Sequence, residues 1–185
     1  MYREIEIIAE VKTLSPFGFK SSRKWQELLE TAIQIGDMIS IHIDEKWAGK
    51  LEYLREARKY TDKPLFAKGI NENDEIVRRA IEEYDARYVL VVGRIPGIYQ
   101  ERCIIEPRSL DEIARIPDEF KVLWNARNLE TGNEKKENFE QAREMWKGWL
   151  CQASFIRNIR DIKEGANAVP VGGNLEEFAR SLRYQ

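Results

Sequence analysis

Residues 88–106 read Tyr88-Val-Leu-Val-Val-Gly-Arg-Ile-Pro-Gly-Ile-Tyr-Gln-Glu-Arg-Cys-Ile-Ile-Glu106. The apolar, β-branched runs at 88–92 and 102–106 predict two strands. The residues between them, Gly93-Arg-Ile-Pro-Gly-Ile-Tyr-Gln-Glu101, hold two Gly and a Pro and predict irregular chain instead of a crossover helix. Outward from this pair, strands and amphipathic helices alternate in both directions. Toward the N-terminus, strands are predicted at 5–11, 38–43 and 64–68, with helices at 22–36 and 48–60 and a third around Ile76, Val77, Ala80 and Ile81. Toward the C-terminus, strands at 121–124, 149–153 and 168–171 alternate with helices at 110–116, 136–147, 157–164 and 175–182. Ser109 reads as an N-cap with Glu112 as its capping-box partner. Such alternation implies right-handed crossovers and a parallel sheet. Eight strands predict a (β/α)₈ TIM barrel, a single domain over residues 1–185. Barrels of this kind usually run to about 250 residues; a missing helix after the fourth strand accounts for part of the difference. An open doubly wound sheet is the runner-up and accommodates eight strands less well.

The 185 residues carry 30 Lys+Arg against 32 Asp+Glu, a net charge of −2, which argues against nucleic acid or an anionic membrane as a partner. With 43% hydrophobic residues, the chain has enough apolar material for one packed core. No apolar run is long enough to span a bilayer. Acidic residues near Met1 stand where a signal peptide needs an apolar stretch, so the expected location is cytoplasmic. Cys103 and Cys151 both lie in apolar runs and read as buried, reduced thiols. The run Glu134-Lys-Lys-Glu137 reads as a solvated helix start.

In a barrel, chemistry collects at the C-terminal ends of the strands. There the chain places Glu10 and Lys12, Lys68, Glu106, and Asn125 with Arg127 just beyond. Period-two alternation turns Glu10 and Lys12 to one face, the inside. Any one of these could be a surface charge at a strand end. Their recurrence at corresponding ends of four strands favours paired acid–base groups with shifted pKa values, because an unpaired buried charge is expensive. His42 reads as a packed, hydrogen-bonded residue in mid-strand, which argues against a His-based triad or zinc site. Trp47 is placed near a ligand. Gly172-Gly173-Asn174 opens the last helix, where backbone N–H groups can meet a phosphate.

Several stretches resemble the indole-3-glycerol-phosphate synthase family. Ile7-Ile-Ala-Glu-Val-Lys-Thr-Leu-Ser-Pro-Phe-Gly18 is similar to its first-strand signature, and Asp44-Glu-Lys-Trp47 to its segment after strand two. Pro64-Leu-Phe-Ala-Lys68 is similar to the strand ending in its catalytic lysine, and Asn125-Ala-Arg-Asn-Leu-Glu-Thr131 to its N-x-R-D-L-x-T stretch. The resemblance implies a carbon–carbon lyase that closes an indole ring on an anthranilate-linked deoxyribulose phosphate, releasing CO₂ and water without metal or cofactor, in tryptophan biosynthesis. It implies Lys68 as general acid, Glu106 as base, Lys12 as a second acid held by Glu10, and Asn125 and Arg127 as orienting groups. Ser15, Gly172 and Gly173 would hold the phosphate side, with Trp47 and Ser154 at the substrate.

The chain also departs from the family. Gly69-Ile70 stands where an Asp-Phe pair follows the lysine, and Ala48 replaces an aromatic residue, which predicts an eroded aromatic pocket. Cys151-Gln-Ala-Ser154 matches a Glu-Ser-Gly stretch poorly, Pro170 sits inside the last strand, and the family's N-terminal extension is expected to be lacking. Two other readings follow from these departures. One is a divergent paralogue acting on another phosphorylated small molecule. The other is a non-catalytic barrel that binds a partner or assembles through an apolar strip exposed beside strand four.

Overall fold

The computed structural model describes residues 5–70 and 73–183. The first four residues, on which the export expectation partly rests, lie outside them. Eight parallel strands close in sequence order: β1 (Glu6–Val11), β2 (Met38–His42), β3 (Leu65–Lys68), β4 (Tyr88–Val92), β5 (Cys103–Glu106), β6 (Lys121–Asn125), β7 (Leu150–Ala153) and β8 (Ala168–Val171). The open sheet is thereby excluded. The helices are α1 (Trp25–Ile35), α2 (Glu52–Arg58), α3 (Asp74–Glu82), α4 (Leu110–Ile113), α5 (Phe139–Met145) and α6 (Leu175–Arg183). Among the described residues, no helix is long and apolar enough to cross a membrane.

Alternation along each strand separates two cores. Ile8, Phe66, Leu90, Ile104, Leu123 and Cys151 fill the barrel interior, whereas Ala9, Ile39, Ala67, Val91, Ile105 and Trp124 face outward onto the helices. Both cysteines are buried and unpaired, and burial pushes the Cys103 thiol up to about 12. The register is well defined around most of the barrel, for instance Glu10 opposite Ser40 and His42 opposite Lys68. Between β7 and β8 it rests on one pair, Cys151 with Ala168. Pro170, which has no N–H to give, lies just beyond that pair.

Residues 93–101 contain no α-helix; a 3₁₀ turn, Gln100–Arg102, leads into β5. The apolar strip expected beside β4 is nevertheless covered. Val89 and Val91 are fully buried, and Ile98 and Tyr99 of the irregular segment pack on the outer core. Residues 157–164 form no helix, contrary to their sequence pattern, but only a 3₁₀ turn at Ile159–Asp161. The cause is tertiary: the buried Gln152 side chain accepts from Lys163 N (2.7 Å) and donates to Asp161 O (2.9 Å), taking backbone groups that a helix would use. At α4 the expected capping box is also absent, since Glu112 accepts from Arg108 N and Ser109 makes no side-chain cap. The run 134–137 is not a helix start. Glu134 bridges back to Arg127, and α5 begins after Asn138, which caps it reciprocally with Gln141.

Candidate active site

The C-terminal end of the barrel opens into a cavity of about 400 Å³. Strand parity builds its floor. Glu10 on β1, His42 on β2, Lys68 on β3, Glu106 on β5 and Asn125 on β6 project inward near the strand ends and all line the cavity. Lys68 donates to Glu10 in an ion pair that passes across β2, and Lys12 approaches the other Glu10 oxygen at 3.8 Å.

Burial and charge set four different protonation tendencies here. For Glu10, burial is the largest single influence and pushes the pKa up, but Lys68 and Lys12 overcome it and hold the carboxyl well below the usual range. For Lys68, burial works to discharge the amine, and Glu10 outweighs it, so the pKa ends above its ordinary value. Burial pushes Lys12 down; Glu10 opposes this, while Lys68 and Arg127 add to it. Burial raises Glu106, with Lys68 and Lys135 opposing. The floor thus pairs a firmly charged lysine with a second lysine that gives up its proton more readily. Opposite them stands a carboxylate whose basicity is raised. Groups tuned apart in this way are what proton transfer at neutral pH requires.

Asn125 is held by its neighbours. Its Oδ1 accepts from Ser154 Oγ (2.7 Å) and Arg127 N (2.9 Å), which turns Nδ2 toward Glu106 Oε2 at 3.4 Å. The Arg127 guanidinium lies between the Phe17 and Phe155 rings, 5.3 and 4.6 Å from their centroids, and donates to Gly132 O. Ser154 and Phe155 both adopt left-handed backbone, φ 72° and 62°, which costs free energy for residues with side chains. That bend swings Phe155 onto Arg127. The expected loss of aromatic lining is therefore only partial. Gly69 and Ile70 do line the cavity, but so do Phe17, Phe19, Trp47 and Phe155.

The cavity wall where β8 meets α6 carries Gly172 and Gly173. A Cβ on Gly172 would stand 2.6 Å from Glu10 Oε2 and 3.1 Å from Lys12 Nζ, and one on Gly173 would stand 2.8 Å from the Phe19 ring. A side chain at either position would force its neighbour to shift, and at 172 that neighbour is the buried, ion-paired Glu10. Ser15 Oγ accepts from Phe17 N and Phe19 N, so its hydroxyl shapes the loop that carries those two rings to the cavity.

All the residues singled out from the sequence (Glu10, Lys12, Ser15, Trp47, Lys68, Glu106, Asn125, Arg127, Ser154, Gly172 and Gly173) line this one cavity. His42 joins them, which sequence reasoning missed. It is buried as expected, but its Nε2 has no hydrogen-bond partner among the described residues, and β2 ends at His42 instead of running past it. Counting inward positions from Ser40 would have placed it beside Lys68. Trp47, on the 3₁₀ turn after β2, lies parallel to the His42 ring at 5.9 Å and edge-on to Phe17 at 6.2 Å. Among the described residues, no three His, Cys, Asp or Glu side chains are grouped so that they could hold a metal ion.

No protein-family profile matches the chain, and no curated protein matches it by sequence. Solved structures do match. Phosphoribosyl anthranilate isomerase from Thermotoga maritima superposes with a TM-score of 0.62 at 12% identity, over 97% of this chain and 100% of that one. Mutually generated monomers of the same, dimeric isomerase give 0.60 at 11% identity, over 98% and 100%. Orotidine 5′-monophosphate decarboxylase from Methanocaldococcus jannaschii, complexed with the inhibitor BMP, gives 0.61 at 12% identity, over 97% of each chain. At this identity the likeness establishes the fold, and the chain is a (β/α)₈ barrel with the β4–β5 crossover helix replaced by irregular chain.

Proposed function

We propose that this barrel is an acid–base enzyme acting on a phosphorylated small molecule, and that its reaction is a ring-closing decarboxylation of the indole-3-glycerol-phosphate synthase type. The observation that carries this is the convergence of Lys68, Lys12 and Glu106, with pKa values moved apart, beside glycines at the start of α6. The structural neighbours act on phosphorylated compounds according to their names, which fits a phosphate at Gly172 and Gly173.

In the proposed mechanism Lys68, kept charged by Glu10, stands over the substrate carbonyl and gives its proton to the oxygen as negative charge develops there, which leaves a hydroxyl. The carbon–carbon bond then closes onto that carbonyl carbon, and CO₂ departs from the ring carbon where the bond formed. Lys12, the lysine with the lowered pKa, protonates the departing hydroxyl, and Glu106 accepts the ring proton as the indole becomes aromatic. Asn125 fixes the Glu106 carboxyl, and Arg127 steers the aromatic end. A second reading, another phosphorylated sugar-like substrate, is favoured by Gly69 and Ile70 at the cavity wall.

Indole fluorescence on the anthranilate-linked deoxyribulose phosphate, with wild type and Lys68→Ala side by side, decides between them. The ring-closing reading expects turnover by wild type and a loss of at least roughly 10²-fold in the variant. Turnover unaffected by the substitution removes Lys68 from the mechanism. No turnover by wild type at any substrate concentration moves the assignment to the second reading.

A further inference from the structure

Among the described residues, the His42 imidazole is a polar inward group of the cavity floor that the mechanism above leaves without a role. It is 7% exposed, lies on β2, the strand between those that carry Glu10 and Lys68, in register with Lys68, and lines the cavity. Its Nε2 is enclosed and unpartnered among the described residues, while Glu10 and Lys68 spend hydrogen bonds on each other. A buried polar atom left without a partner destabilises a fold, and an apolar side chain of similar size would pack here at lower cost. Folding alone therefore gives no reason for an imidazole at this place. Burial pushes its pKa down to about 3, with Glu10 opposing and Lys68 and Lys12 adding to the fall, so the ring is neutral in working conditions. A neutral imidazole offers one donor and one acceptor, the complement of a hydroxyl group. Around the barrel rim, His42 follows β8 and β1 from the glycines at 172–173 and precedes Lys68 on β3.

We propose that His42 is a specificity-determining residue whose imidazole hydrogen-bonds a hydroxyl of the bound molecule, between the phosphate end at Gly172–Gly173 and the group engaged by Lys68. The ligand is thereby a phosphorylated polyol or open-chain sugar. This deepens the phosphorylated-ligand reading and rests on it.

The test is calorimetric titration of wild type, His42→Leu and His42→Gln with inorganic phosphate and with D-ribulose 5-phosphate, alongside thermal unfolding without ligand. All three proteins should bind phosphate equally, and wild type should bind the sugar phosphate more tightly than phosphate. His42→Leu should lose about 3- to 10-fold in sugar-phosphate affinity, the worth of one neutral hydrogen bond. His42→Gln should recover part of it, and the melting temperature of His42→Leu should not fall below that of wild type. An unchanged ratio of the two affinities in His42→Leu overturns the inference, whether or not its melting temperature drops, and so does a sugar phosphate that binds wild type no better than phosphate. Failure of wild type to bind phosphate at all removes the phosphorylated-ligand reading itself, and the role of His42 with it.

Discussion

Gly172 and Glu10 approach so closely that a single methyl group at position 172 would collide with the Glu10 carboxylate, 2.6 Å from its Oε2. Glu10 cannot retreat, because it is buried and bound to Lys68. The glycine turn before α6, where phosphate is proposed to bind, is therefore in direct contact with the charged floor. Overpacking a site with no room to yield costs about 1–3 kcal/mol. Gly172→Ala should accordingly lower the melting temperature by several degrees and weaken phosphate binding in parallel. An unchanged melting curve would show that the Glu10 carboxylate is free to move.

Lys68 and Glu10 stabilise each other chiefly by preventing an isolated buried charge. Removing one partner of such a pair costs on the order of 3–5 kcal/mol, whereas removing both is often close to neutral. Lys68→Met should therefore be markedly destabilised in chemical denaturation, with Lys12 at 3.8 Å softening the loss. The double variant Glu10→Gln, Lys68→Met should recover much of it. Additive losses in the double-mutant cycle would contradict a coupled pair.

Much of this architecture is legible in the amino-acid order, and the gaps have physical causes. The β-branched runs around 88–92 and 103–106 and the Gly–Pro segment between them announce strand, irregular chain, strand, because local sterics decide all three. Glu10 is readable as an inward group from alternation alone. The turn at 159–161 is not readable in the same way, because it depends on the Gln152 side chain reaching across from β7. Phe155 gives no signal either. It reaches Arg127 through two successive left-handed residues, a backbone choice imposed by the Ser154–Asn125 hydrogen bond and its surroundings. His42 was legible in principle and lost through one residue of strand boundary.

The pH dependence of stability should carry a His42 signature. A histidine whose folded pKa is depressed binds its proton more readily when unfolded, so its contribution is full above its ordinary 6.5 and is lost as pH falls toward about 3. Glu10, also depressed, loses its contribution only below its ordinary 4.5, and Glu106, raised by burial, acts in the opposite sense. The difference between wild type and His42→Gln isolates the imidazole. Melting temperatures measured between pH 7 and 5 should fall more steeply for wild type than for the variant. Parallel curves would mean that the imidazole is not held neutral by burial.

The central claim is that a phosphate-bearing ligand sits at the α6 end of the cavity, against the acid–base floor. Its most direct test is an ¹⁵N–¹H NMR titration of the protein with inorganic phosphate. Saturable shifts are expected at the backbone amides of Gly172, Gly173 and Leu175, with smaller ones at Lys12 and Ser15. Shifts confined to other parts of the surface, or none at all, would contradict it.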